Sequence, residues 1–256
     1  MPRRLGQHFL EKQSILERIA EAAAPERIPL LIEIGPGRGA LTAHLLNRVD
    51  KLIAIELDSY LIGYLRQRFR EQVDAGRLEI IESDVLKADL SAWGPASIAG
   101  NLSYYITSPI LERVFTSPTW TRGTFLVQLE VAQRVTASPG SRDYGYLSVQ
   151  TQVYSEAKLL FEVSKTAFRP PPKVESAVIS LTPRAFDPDA AAFLSFAGTC
   201  FRQKRKTLRN NLLVRYPRDQ VDLVVQGGKR AEQLGIDELR SIFAVLRNAP
   251  AQGSAE

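Results

Sequence analysis

The chain has 256 residues, a formal net charge of +5 and 45% hydrophobic residues, which accommodates one large globular domain and a small one. One cysteine excludes an internal disulfide framework, and two histidines beside it make no convincing zinc site, so no metal is expected. There is no run of about 18 apolar residues and no signal-peptide core in Met1–Gly6, which predicts a soluble, intracellular chain without a membrane span.

In chain order, the apolar run Leu30–Ile34 reads as a buried strand ending at Gly35. A helix follows over Ala40–Val49, with Leu41, Leu45, Leu46 and Val49 at helical spacing. Lys51–Leu57 reads as a second strand and Ser59–Arg70 as a helix. Leu78–Ser83 and Ser97–Asn101 read as the third and fourth strands. Pro109 opens a helix through Phe115, at a position where proline is tolerated, and Phe125–Leu129 reads as a fifth strand. This alternation predicts an α/β fold built on a doubly wound, mostly parallel sheet. Leu147–Tyr154, Lys158–Val163 and Ala177–Leu181 are rich in β-branched and apolar residues and read as its antiparallel end. After the break at Pro183–Pro188 the pattern turns helical, over Ala190–Phe201, Lys206–Arg215, Asp219–Val225 and Asp237–Arg247. The predicted organisation is a sheet domain over 1–183, a small helical domain over 184–248 and a frayed tail over 249–256.

Gly35-Pro36-Gly37-Arg38-Gly39 lies where a strand meets a helix, the place at which open α/β sheets bind ligands. Glycines there permit positive φ and a close approach of backbone to ligand. The spacing is not the G-x-G-x-x-G of dinucleotide folds, which argues against a nicotinamide cofactor. The next strand ends at Glu56, about 20 residues past the first glycine, where a carboxylate can accept from ribose hydroxyls. The third ends at Asp84, which can accept from an adenine amino group while Val85 packs on the ring. Together these strand ends describe a nucleoside-containing ligand.

Asn101-Leu102-Ser103-Tyr104 follows the fourth strand beside the same cleft. An exocyclic adenine amine is a poor nucleophile because its lone pair is delocalised into the ring. Two acceptors aimed at its N–H bonds favour a pyramidal nitrogen. The side-chain carbonyl of Asn101 and the main-chain carbonyl of Leu102 can supply them, while Tyr104 stacks on the base. The densest cationic run, Arg202, Lys204, Arg205, Lys206 and Arg209, contains no acid. Charge alone leaves open a solvated helix face or contact with phosphate. Phe168, ahead of a proline run, could cover the second face of a target base or serve as core or hinge; Lys173 could meet phosphate.

These motifs resemble the ribosomal RNA adenine dimethyltransferase family over nearly the whole chain. Gly6–Leu10, Glu33–Gly39, Asn101–Tyr104, Asp143–Val149, Phe168–Ser176 and Arg205–Asn210 are each similar to a family signature. The resemblance implies a class I (Rossmann-like) methyltransferase domain with a helical RNA-binding domain. It implies S-adenosylmethionine as cofactor, held by His8, Leu10, Gly35, Gly37, Glu56, Leu57, Asp84, Val85 and Asn101. It further implies N6-dimethylation of two adjacent adenosines near the 3′ end of small-subunit (16S) ribosomal RNA during ribosome maturation. The partner would be the immature 30S subunit and the enzyme a cytoplasmic monomer. The chain departs from the family at Ser103, where proline is usual, and at Leu129, where a basic residue is common. Serine removes proline's fixed φ and adds a donor, so a looser loop is expected, with the acceptors and the tyrosine retained.

Overall fold

The protein was analysed as a computed structural model that describes residues 8–248. Met1–Gly6, Gln7 of the amino-terminal signature and the expected tail over 249–256 lie outside the described residues. Nine strands are present: β1 Phe9–Leu10, β2 Ile28–Ile34, β3 Val49–Glu56, β4 Leu78–Glu82, β5 Ala96–Asn101, β6 Trp120–Gln128, β7 Ser155–Val163, β8 Phe168–Arg169 and β9 Ser176–Pro183. The helices are α1 Gln13–Ala23, α2 Ala40–Leu45, α3 Ser59–Arg68, α4 Arg70–Asp74, α5 Thr107–Phe115, α6 Leu129–Thr136, α7 Tyr146–Tyr154, α8 Ala190–Cys200, α9 Leu208–Leu212, α10 Arg218–Asp222 and α11 Ile236–Asn248. Among the described residues no helix is long and apolar enough to cross a membrane.

Seven strands form one sheet in the order β4-β3-β2-β5-β6-β9-β7. The pairs from β4 through β6 are parallel, and β9 runs antiparallel to both β6 and β7. Strands buried on both faces need no polar alternation, and Leu31–Ile34 and Leu52–Glu56 are continuously buried, as such strands require. The chain steps outward from β2 through β3 to β4, then returns to place β5 on the opposite side of β2. That reversal opens a crevice at the carboxyl ends of β2 and β5. Gly35 and Asn101 stand at those two ends.

The described residues fall into two compact units, one of residues 8–132 with 155–183, the other of residues 133–154 with 184–248. Residues 133–154, expected with the sheet, therefore belong with the second unit. The expected strand Leu147–Tyr154 is helix α7. Its Leu147, Ser148, Val149, Gln150, Thr151 and Val153 are all buried, so burial all round erased the helical period from the sequence. Ser148 accepts from the Gly145 N–H at 3.0 Å and donates to the Arg134 carbonyl at 2.6 Å, which closes the amino end of the helix. Its apolar side packs with Tyr144, Phe193 and Phe196 in the core of the second unit.

Other differences concern element ends. The helix expected over Ala40–Val49 stops at Leu45, and Val49 already starts β3. The helix expected over Lys206–Arg215 shrinks to α9, whose start is capped by the Thr207 hydroxyl accepting from the Asn210 N–H. Helix α1 was not anticipated, although Ile15, Leu16, Ile19, Ala20 and Ala23 form one buried face.

Tyr144 is fully buried, and among the described residues its hydroxyl has no hydrogen-bond partner. Burial pushes its pKa up to about 12, with the Glu238 charge adding to the effect. An unpartnered buried hydroxyl is a stability cost of about 1 kcal/mol or more. Tyr144→Phe is therefore expected to raise the melting temperature or leave it level. A clear fall in a thermal melt would show that the hydroxyl has a partner.

Candidate active site

The glycine turn is shaped by three positive φ angles, +65° at Gly35, +59° at Gly37 and +75° at Gly39. A Cβ at Gly35 would meet nothing within 4 Å, so this glycine is required for its backbone angle and leaves open space above the turn. A Cβ at Gly39 would come within 2.4 Å of the Phe69 ring, so there glycine also provides close packing.

Glu56, at the end of β3, is only 7% exposed. Its Oε2 accepts from the Gly37 N–H at 3.1 Å, and its Oε1 from the N–H groups of Leu57 and Asp58 at 2.9 and 3.1 Å. The carboxylate thus braces the glycine turn. Three of its lone-pair directions are already used, which leaves one, on Oε2, for a further donor. Asp84 closes a turn by accepting from the Leu86 N–H at 3.0 Å through Oδ1, which leaves Oδ2. Val85 is buried beside it, whereas Leu57 is 62% exposed.

The catalytic candidates meet at the end of β5. The Leu102 N–H donates to the Leu126 carbonyl at 3.0 Å, which leaves its own carbonyl as an acceptor. Asn101 Nδ2 donates to the His8 carbonyl at 3.4 Å, and this amide orientation frees Oδ1. The Ser103 carbonyl accepts from the Ile106 N–H and the Thr107 hydroxyl, each at 3.1 Å, and these bonds fold the loop that lacks the usual proline. Tyr104 is half-buried, and its hydroxyl lies 2.8 Å from Ser176 Oγ. Burial raises the Tyr104 pKa, the bond to Ser176 opposes this, and the Glu175 charge adds to it; the phenol stays neutral.

The amino-terminal segment closes on this loop. The His8 ring stacks near Tyr104, with centroids 6.1 Å apart and planes 27° apart, and His8 Nδ1 bonds the Pro170 carbonyl at 2.8 Å. Strands β1 and β8 pair through Phe9↔Arg169 and Leu10↔Phe168. Phe168 is 2% exposed and packs in the core with Leu10 and Ala167. It therefore offers no face to a base, and the core alternative holds. Short pairing with β1 buried it, a tertiary effect that the proline run next to it does not reveal.

Glu33 was not among the expected site residues. It is 1% exposed and accepts from the Thr42 hydroxyl of α2 at 2.7 Å, under the glycine turn. Burial is the main cause that lifts its pKa to about 8; the Thr42 bond opposes this and the Glu56 charge adds to it. The signal was an acid inside an apolar strand. The folded state holds this proton more tightly than the unfolded chain does, so this residue's contribution to stability declines as pH rises from about 4.5 to about 8. Glu33→Gln keeps the Thr42 acceptor and removes the titration. Its stability relative to the parent is expected to rise across that pH window, as followed by thermal melts. A difference independent of pH would show that Glu33 is ionised in the fold.

In the second unit Arg202, Lys204, Arg205 and Lys206 of the cationic run lie in a loop, whereas Arg209 lies in α9. Arg202, Arg205, Lys206 and Lys204 are exposed. Lys204 donates to the Arg142 carbonyl and lies 3.6 Å from Glu232. Arg209, expected to contact RNA, binds Asp222 through Nε and Nη2 at 3.0 and 2.7 Å. Among the described residues Arg202, Arg205 and Lys206 form no ion pair. Lys173 is exposed in the first unit.

Known proteins resemble this chain over nearly its whole length. A solved dimethyladenosine transferase from Plasmodium falciparum is similar in fold, with 24% identity, a TM-score of 0.76, and 92% of this chain and 96% of that one covered. The solved 23S rRNA methyltransferase ErmE is 29% identical with a TM-score of 0.73, over 93% of this chain and 99% of that one. Ribosomal RNA small subunit methyltransferase A of Chlorobium phaeobacteroides (strain BS1) is 39% identical over 97% of this chain and 94% of that protein. The protein of the same name from Acidobacterium capsulatum is 40% identical over 96% of this chain and 91% of that one. The profile described as "Ribosomal RNA adenine dimethylase" matches residues 2–248. With that profile matching nearly its whole length and relatives at 39% and 40% identity, the chain belongs to the ribosomal RNA adenine dimethylase family.

Proposed function

We propose that this enzyme dimethylates N6 of two adjacent adenosines near the 3′ end of small-subunit (16S) ribosomal RNA, acting as a cytoplasmic monomer on the immature 30S subunit. The observation that carries the reading is the Asn101 amide: its Nδ2 donates to the His8 carbonyl, which leaves Oδ1 as an acceptor on the residue next to Leu102. The pair accepts from the two N–H bonds of the adenine amine and draws its lone pair out of the ring. Tyr104, anchored by Ser176, holds the base in plane. After each transfer the nitrogen sheds its proton to water, so no side chain with a tuned pKa is needed.

S-adenosylmethionine would supply an electrophilic methyl on sulfur. Gly35 and Gly37 would lie against its amino-acid part, Glu56 at the ribose, and Asp84, Val85 and Leu57 at the adenine. His8, Leu10 and Asn101 would close over it. Arg202, Arg205 and Lys206 in the helical segment 184–248, with Lys204 and Lys173, would meet RNA phosphates; Arg209 is assigned to holding α10 through Asp222. Incubation with labelled cofactor and immature small subunits tests the reading, with dimethyladenosine located by primer extension. Modification confined to large-subunit RNA would overturn it. RNA affinity is also expected to fall with salt, and each phosphate-contacting cation replaced by alanine should lower that slope by about 1.

A further inference from the structure

Two tyrosines follow one another in the catalytic loop, and they are treated oppositely. Tyr104 is half-buried and anchored to Ser176. Tyr105 is 85% exposed, and Ile106 beside it is 39% exposed. The backbone beneath Tyr105 is nevertheless pinned. Leu102 is tied to Leu126, and the Ser103 carbonyl takes the Ile106 N–H and the Thr107 hydroxyl. A large aromatic ring on a fixed turn, turned to solvent one residue from the target-binding tyrosine, packs no core.

We propose that Tyr105 is a stacking platform for the nucleobase next to the adenosine being methylated. This rests on the functional reading above. An amine can reach the acceptors of Asn101 and Leu102 only if its base leaves the RNA stack. Extrusion strips the neighbouring base of a stacking partner, and an exposed aromatic face replaces it without reading sequence. Where two neighbouring adenosines are modified in turn, the same ring serves whichever adenine is waiting. The catalytic loop then carries two base sites, one for the reacting adenine at Tyr104 and one for its neighbour at Tyr105.

The test compares the parent with Tyr105→Ala and Tyr105→Trp. Two readouts are used: affinity for a short oligoadenylate, and KM for immature small subunits with labelled cofactor. Tyr105→Ala is expected to weaken oligoadenylate binding and to raise KM, each about tenfold, the equivalent of one lost stacking contact. Tyr105→Trp restores both, while cofactor affinity and melting temperature stay at parental values in each variant. Parental oligoadenylate affinity in the alanine variant overturns the proposal, as does failure of tryptophan to rescue. If the parent leaves small-subunit RNA unmodified, the substrate reading fails, yet the oligoadenylate comparison still decides on the platform.

Discussion

Asn101→Ala is expected to lower the rate of methyl transfer by about 100- to 1,000-fold, the usual cost of removing one preorganised electrostatic contact from a transition state. The adenine amine would keep the Leu102 carbonyl but lose the side-chain acceptor, and its lone pair would stay in the ring. Cofactor affinity should change far less, because Glu56 and Asp84 are held by their own backbone partners. The variant does lose the bond from Nδ2 to the His8 carbonyl, so a modest weakening through the amino-terminal segment is expected. Single-turnover rates with saturating cofactor, beside a direct cofactor titration, separate the two effects. An alanine variant that transfers methyl groups at the parental rate would remove the mechanism.

Gly100→Ala should have the largest effect on the fold itself. Gly100 lies in β5, one residue before Asn101, with an ordinary strand backbone. A Cβ there would stand 2.5 Å from the Ile34 carbonyl oxygen and 3.2 Å from Leu102 Cδ2. The first contact is with backbone, so no rotamer change relieves it. Either β5 or β2 must shift, and these two strands bound the crevice. A cost at the upper end of the overpacking range, about 2 to 3 kcal/mol, is expected, and the melting temperature should fall by about 5 to 10 °C. Activity should fall further than stability, because the displacement is passed directly to Asn101. A variant that melts with the parent would mean that the strands are not so closely apposed.

The distribution of what could be read beforehand follows from the range of the forces involved. The parallel strands were legible because burial on both faces leaves long apolar runs, and the ends of β2, β3 and β4 were marked by glycine or an acid. Helix α7 was not, because a helix buried on most sides loses its period, and its valines, threonine and tyrosines favour strand in isolation. The cationic run was legible as charge. Its division into the paired Arg209 and the unpaired Arg202, Arg205 and Lys206 depended on Asp222, thirteen residues beyond Arg209.

By itself the sequence determined the chemistry on offer: a positive-φ glycine turn, acids at two successive strand ends and an Asn-Leu-Ser-Tyr loop, all local patterns of a few residues. The tertiary structure decided which of these groups are available. It drew Phe168 into the core against Leu10, used most of Glu56 on backbone N–H groups, raised the pKa of Glu33 by burial and separated Tyr104 from Tyr105 by burial. The burial of Phe168 and Glu33, the Gly37 bond to Glu56 and the Ser176 bond to Tyr104 depend on neighbours distant in the chain, which come together only once the sheet has formed.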